Sequence, residues 1–170
     1  MTTESVDPGV LHPWTIFMRA SEEARRRGDR RTGTDHVLLG LLEDPSIEVT
    51  VGVSLLQARA ALESLDQQAL GSLGVGVDAD APPLAMRAVP KRPSIRVIMD
   101  KDRLRMTPAA KKVLEDAVKP VRRKTQVTGT QVLAQILTLQ PPDPAAVLLD
   151  ALSVDRSEIR RRLDAVTPDR

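Results

Sequence analysis

The chain has 170 residues, 41% of them hydrophobic and 28% charged, with 25 Lys and Arg against 23 Asp and Glu for a formal charge of +2. This is a globular rather than a disordered mixture, and so small a net charge names no partner. Cysteine is absent, which excludes disulfides, thiolate metal sites and thiol nucleophiles and fits a reducing compartment.

A chain of this length makes one domain, or two small ones sharing a core. Trp14 and Phe17 are its only aromatic residues, so the core must be aliphatic, and richness in Ala and Leu with few β-formers points to helix. The N-terminal segment carries no basic and apolar leader pattern. The longest apolar run, Val37 to Leu42, is far short of the ~20 residues of a membrane span. A cytoplasmic protein without membrane contact is the expectation.

In chain order, the first helix is expected from about Leu11 to Arg27, with Ile16, Phe17, Ala20 and Ala24 on one face. Gly28-Asp29 ends it. The segment Thr32-Gly33-Thr34-Asp35-His36 then opens a second helix through Leu42, with the threonine after the glycine read as its cap. Asp44-Pro45 closes that helix, and Ser46 to Val51 reads as strand or strained helix. Ser54 and Gln57 have capping-box spacing and open a helix through Ala58, Leu62 and Leu65.

Between about Gly71 and Arg105 lies a linker, first rich in Gly, Asp, Ala and Pro, then basic. From Arg87 to Arg105 it holds seven basic and two acidic residues. Ser94 to Asp100 reads as a short extended segment.

The order then repeats. Thr107-Pro108 is an N-cap with proline at the first helical position. That helix runs through Val113, Leu114, Ala117 and Val118 until Pro120 stops or kinks it. Thr128-Gly129-Thr130-Gln131 copies the earlier Thr-Gly-Thr junction, and Pro141 to Pro144 precedes a helix over Ala145 to Leu152. Asp155 and Glu158 restore the capping-box spacing before a last helix through Ile159 and Leu163. Ser54, Gln57, Arg59 and Leu62 match Asp155, Glu158, Arg160 and Leu163 position for position, which marks an internal duplication.

Two motifs carry a family resemblance: Gly33-Thr34-Asp35-His36-Val37-Leu38-Leu39-Gly40-Leu41, and Met106-Thr107-Pro108-Ala109-Ala110-Lys111-Lys112-Val113-Leu114-Glu115. In this order they resemble the tandem N-terminal domain of Clp AAA+ unfoldases of the ClpA/ClpC type. The resemblance spans roughly Val10 to Leu163 and implies an all-α fold of two four-helix Clp repeats related by a pseudo-twofold axis. The expected boundaries are 10–70 for repeat one, 71–105 for the linker and 106–166 for repeat two, with a flexible N-terminus over 1–9 and a tail over 167–170. Gln131-Val132 stands in repeat two where the family motif has Glu-His, and Pro13-Trp14 replaces a basic pair.

The resemblance also implies a function. Thr34 and Asp35, with Thr130 and Gln131, occupy positions where ClpC-type domains recognise phosphorylated arginine. A carboxylate there would take a guanidinium through paired charge-assisted hydrogen bonds. Met106, Lys111 and Glu115 fall where family members bind adaptor proteins and cyclic-peptide natural products. Each assignment has a plain structural alternative: the threonines are helix caps, and Lys111 with Glu115 is an ordinary i,i+4 pair. The partners implied are a Clp unfoldase, its adaptors or its substrates, including phosphoarginine-marked proteins. Without a Gly-Lys dipeptide there is no Walker A loop, so the expectation is a stand-alone binding module, an accessory factor in Clp-dependent proteolysis or a decoy for unfoldase ligands.

Enzyme is the least supported class. His12 and His36 are the only histidines; they allow no Ser/His/Asp arrangement worth arguing, and a zinc site needs about three or four ligands. No cofactor is expected. The rival reading is a basic helical DNA-binding regulator, suggested by Arg25-Arg26-Arg27, Arg122-Arg123-Lys124 and Arg160-Arg161-Arg162. Against nucleic acid, helix C-termini favour cations, and the aromatic shortage leaves no stacking platform.

Overall fold

The computed structural model describes residues 10–11, 13–74, 106–119 and 127–166. The expected extended segment Ser94–Asp100, the basic stretch Arg87–Arg105, Pro120 and the cluster Arg122-Arg123-Lys124 lie outside them.

Eight helices and two short strands make up the described residues: β1 (Val10–Leu11), α1 (Pro13–Arg27), α2 (Thr34–Leu41), α3 (Pro45–Val51), α4 (Leu55–Ser72), α5 (Pro108–Val118), β2 (Val127–Thr128), α6 (Gly129–Ile136), α7 (Pro144–Ala151) and α8 (Arg156–Val166). The fold is all-α, as expected. The first helix starts two residues later than the apolar spacing suggests, because Val10 and Leu11 pair with Thr128 and Val127 instead.

Local chemistry sets the helix ends. At the end of α1, Gly28 has φ +80°; its N–H bonds the Arg25 carbonyl and that of Asp29 bonds the Ala24 carbonyl, a Schellman closure that glycine makes without a Cβ clash. Ser46 to Val51 resolves as helix: the Asp44 side chain accepts from the Ser46 N–H, and Pro45 fills the first position. Ser54 and Gln57 form the expected reciprocal box, at 3.2 and 2.9 Å. In α8 only half of the expected box forms. Asp155 accepts from the Glu158 N–H, while the Glu158 carboxylate turns to Arg161 and Arg162.

All eight residues of α2 are buried, and helices α1, α4, α5, α6 and α7 pack around it. Its crossing with α1 is unusually close. A Cβ on Gly40 would lie 2.8 Å from the Ala20 nitrogen and 3.1 Å from the Arg19 carbonyl carbon. Ile16, Ala20, Val37, Leu38, Leu39, Leu41, Ile47, Leu133, Ile136, Leu148 and Leu149 form one continuous aliphatic core, with Phe17 buried at its edge.

The two sets of four helices follow one order, and their contacts exchange. β1, which precedes α1, pairs antiparallel with the residues entering α6. Met106, which precedes α5, bridges Thr32 at the entry to α2, and the Thr107 N–H bonds the Thr32 carbonyl at 2.9 Å. Each half thus lays its entry segment on the helix junction of the other. Likewise α4 packs on α7, and α3 on α8. The symmetry is imperfect: α4 has 18 residues against 11 in α8, and from Asp66 to its end it is exposed.

Candidate functional site

The Thr-Gly-Thr junctions are built differently from the sequence expectation. Thr34 does not cap its own helix; Gly33 occupies the cap position and Thr34 is the first helical residue. The Thr34 hydroxyl donates to Asp143 Oδ1 at 2.7 Å and accepts from the Ala145 N–H at 3.3 Å. It therefore serves the start of α7, in the other half. Gly33 has no side chain to offer, so its helix gets only the returning half of a box: the Gly33 N–H donates to His36 Nδ1 at 3.0 Å.

In the second half the cap is Thr128, not Thr130. Its hydroxyl accepts from the Gln131 N–H, and Gln131 Oε1 accepts from the Thr128 N–H at 3.0 Å. Thr130 bonds the Thr128 hydroxyl at 2.8 Å. The repeats are thus offset by one position at the cap, which the aligned glycines conceal.

Asp35 and His36 form a buried polar cluster. Asp35 Oδ1 lies 3.2 Å from His36 Nδ1, and Asp29 Oδ2 lies 2.9 Å from Nε2. Burial opposes the charged imidazole, but the Asp35 and Asp29 carboxylates outweigh it and hold His36 above its ordinary value. Burial likewise pushes the Asp35 carboxyl up; the hydrogen bond and charge of His36, with Arg27 behind them, bring it below the ordinary range.

The candidate residues therefore separate into two groups. Thr34 and Asp35 are 1% and 8% exposed and engaged inside the fold, while Thr130 and Gln131 are half-buried and engaged in capping. Met106 is half-buried against the core. Lys111 and Glu115 are exposed on α5 and pair at 3.5 Å.

Glu115 also lines an open, predominantly apolar cleft of about 430 Å³ with Pro13, Leu114, Val118 and Lys119, where the start of α1 meets α5. On α1, Trp14 and Met18 are partly exposed, one turn apart, and Trp14 stacks at a tilt on Phe17, centroids 5.1 Å apart. The sequence reading found Glu115 but missed Pro13, Leu114 and Val118. The available signal was that Leu114 and Val118 share a helix face with Lys111.

Two larger clefts are lined by several charged residues, and only the second is predominantly polar. One, of about 520 Å³, is lined by Leu56, Arg59, Ala60 and Glu63 of α4 with Arg26, Arg27 and Asp29. The other, of about 720 Å³, is lined by Ser157, Arg160, Arg161 and Asp164 of α8 with Asp150 and Asp155. The α4 and α8 residues correspond one to one under the repeat match. In the first cleft the charges are spent internally: Arg59 clasps Glu23, itself 2% exposed, and Arg27 bonds Asp29 and Asp66.

Among the described residues no group of three or more His, Asp or Glu is placed to hold a metal ion, and no helix is long and apolar enough to cross a membrane. The described residues thus form an all-α domain with an aliphatic core and an apolar cleft on its surface. The chain belongs to the Clp repeat (R) N-terminal domain family, whose model matches residues 13–138. That match stops just after α6, so α7 and α8 lie beyond it.

Curated relatives are similar over most of the chain. A protein of Porphyra purpurea named ATP-dependent Clp protease ATP-binding subunit ClpA homolog is 28% identical over 151 residues, 85% of this chain and 15% of that protein. The protein of that name from Cyanidium caldarium is 27% identical over 154 residues, with 87% and 15% covered. Chaperone protein ClpC2, chloroplastic, of Oryza sativa subsp. japonica is 26% identical over 154 residues, with 87% and 14% covered. The chain thus spans only about one-seventh of the length of the curated relatives it matches.

Proposed function

We propose that this chain is a non-catalytic module that binds proteins and peptides of the Clp system through the α1–α5 cleft. The observation that carries the reading is the cleft itself: an apolar floor from Leu114, Val118 and Pro13, with Glu115 and Lys119 at its edge and Trp14 and Met18 partly exposed on α1. An apolar centre with a charged rim suits a short apolar segment better than a charged group. Adaptor proteins and cyclic peptides are occupants of that kind. Phosphoarginine would instead need Asp35 or Gln131, which are engaged within the fold.

We assign repeat one to residues 10–70 and repeat two to 106–166, joined by the 71–105 linker, with α4 running on to Ser72. In this reading it delivers partners to an unfoldase or sequesters ligands from one. The DNA-binding rival finds less support, because the arginines of the α1 end are largely paired with Glu22, Glu23, Asp29 and Asp66.

The test is a titration of the ¹⁵N-labelled protein with an apolar cyclic peptide and, separately, with phosphoarginine. The expected result is peptide-induced shifts at Trp14, Leu114, Glu115 and Val118, with little response to phosphoarginine. Shifts confined to Asp35, Thr130 and Gln131 would move the site to the capping junctions and overturn the proposal. A DNA titration whose affinity falls steeply with salt would do so too.

A further inference from the structure

His36 Nδ1 faces two groups that require opposite things of it. The Gly33 N–H, 3.0 Å away, needs an acceptor. Asp35 Oδ1, 3.2 Å away, can only accept. A neutral ring with its proton on Nε2 satisfies Gly33 and Asp29 and turns a lone pair toward Asp35. A protonated ring donates to both carboxylates and leaves the Gly33 N–H without its cap acceptor. One nitrogen cannot do both.

We propose that His36 is a proton switch for the first turn of α2: neutral, it caps the helix through Gly33; protonated, it releases that cap and clasps Asp35. The second half contains the same bond in a form that cannot switch. There Gln131 fills the corresponding third helical position and accepts from the Thr128 N–H at 3.0 Å, and an amide does not titrate.

The charged groups around the ring agree with this assignment. Asp29, from the α1–α2 turn, and Asp35, on α2, face its two nitrogens. Arg27 at the end of α1 bonds Asp29 and, from α4, Asp66, and its charge also reaches Asp35. On the α7 side Asp143 is held by the Thr34 hydroxyl. The switch therefore sits two residues from Thr34, the contact through which α2 caps α7, and in the same first turn.

The sign of the stability linkage distinguishes the switch from simple loosening. His36 sits above its ordinary value of 6.5 in the fold, so its contribution to stability is complete below that value and is lost as pH rises through the folded one. Asp35 is shifted down, so its contribution is present above its ordinary value of 3.8 and is lost as pH falls through the folded one. Protonating His36 thus strengthens the whole fold while weakening one local bond.

The experiment is NMR of the intact protein from about pH 5 to 9, following the His36 imidazole nitrogens and the hydrogen-exchange protection of the Gly33 and Thr128 amides, with His12→Gln used to assign the second histidine. The expected result is that Gly33 protection falls about fivefold to tenfold on His36 protonation, the worth of one net hydrogen bond, while Thr128 stays constant. His36→Gln, which installs the α6 arrangement, should abolish the Gly33 response. Asp35→Asn should lower the His36 midpoint. Gly33 protection that ignores the titration of His36, or that changes equally at Thr128, would overturn the proposal. So would a His36 that does not titrate in this range.

Discussion

Arg59 and Arg160 occupy matching positions of the duplicated capping-box helices, yet the fold uses them differently. Arg59 makes a two-pronged bond to Glu23, whose side chain is 2% exposed, and so ties α4 to α1. Arg160 is exposed and has no ion pair among the described residues. Arg59→Ala would leave a buried carboxylate with Arg26, at 3.6 Å, as the counter-charge seen among the described residues. The loss expected from urea unfolding is about 2–4 kcal/mol, reduced from that of a fully buried pair because Arg59 is partly exposed. Arg160→Ala should cost less than about 0.5 kcal/mol. Equal effects would mean that the Glu23 pair is not holding the helices together. The sequence displayed the Arg59–Arg160 correspondence plainly. It could not display the asymmetry, because Glu23 lies 36 positions from its partner and has the local look of a solvent-facing helix residue.

The elements themselves were legible where their signals are local. Gly28, Ser54 with Gln57, and Thr107-Pro108 each terminate or start a helix through groups within five residues, and each does so in the structure. The misreadings share the opposite property. Leu11 was drawn into β1, beside Val10, by a partner in the other half, and the Thr34 hydroxyl was drawn away from its own helix by Asp143 and Ala145. Gly40 shows how a single residue sets an element's position: only a missing Cβ lets α2 approach the α1 backbone so closely. Gly40→Ala improves helix propensity by about 1 kcal/mol but forces the two backbones apart. The net expectation is destabilisation of about 1–3 kcal/mol, seen as a lower denaturation midpoint. A variant at least as stable as wild type would show that the crossing has slack.

At the scale of the whole molecule, the duplication visible in the sequence becomes one body through exchanged contacts, with α2 buried at its centre and the entry segments crossing between halves. Fold class and family were accessible because two motifs and a repeated helix order carry them. The candidate site was only partly accessible. Thr34, Asp35, Thr130 and Gln131 are engaged as caps and core groups, whereas the apolar cleft depends on Pro13 meeting Leu114 and Val118 from far along the chain, a juxtaposition no local pattern encodes. What this body leaves outside is an apolar cleft whose rim residues Glu115 and Lys119 are exposed, each in a surface ion pair, with Lys111 and Asp116 respectively. The most direct measurement is affinity capture from the source organism's lysate with wild type and Glu115→Arg in parallel, both verified as folded, with bound proteins and small molecules identified by mass spectrometry. The account predicts that wild type retains a Clp unfoldase, its adaptors or substrates, or a peptide ligand, and that Glu115→Arg loses them. Equal retention by both proteins, or enrichment of nucleic acid in place of these partners, would contradict it.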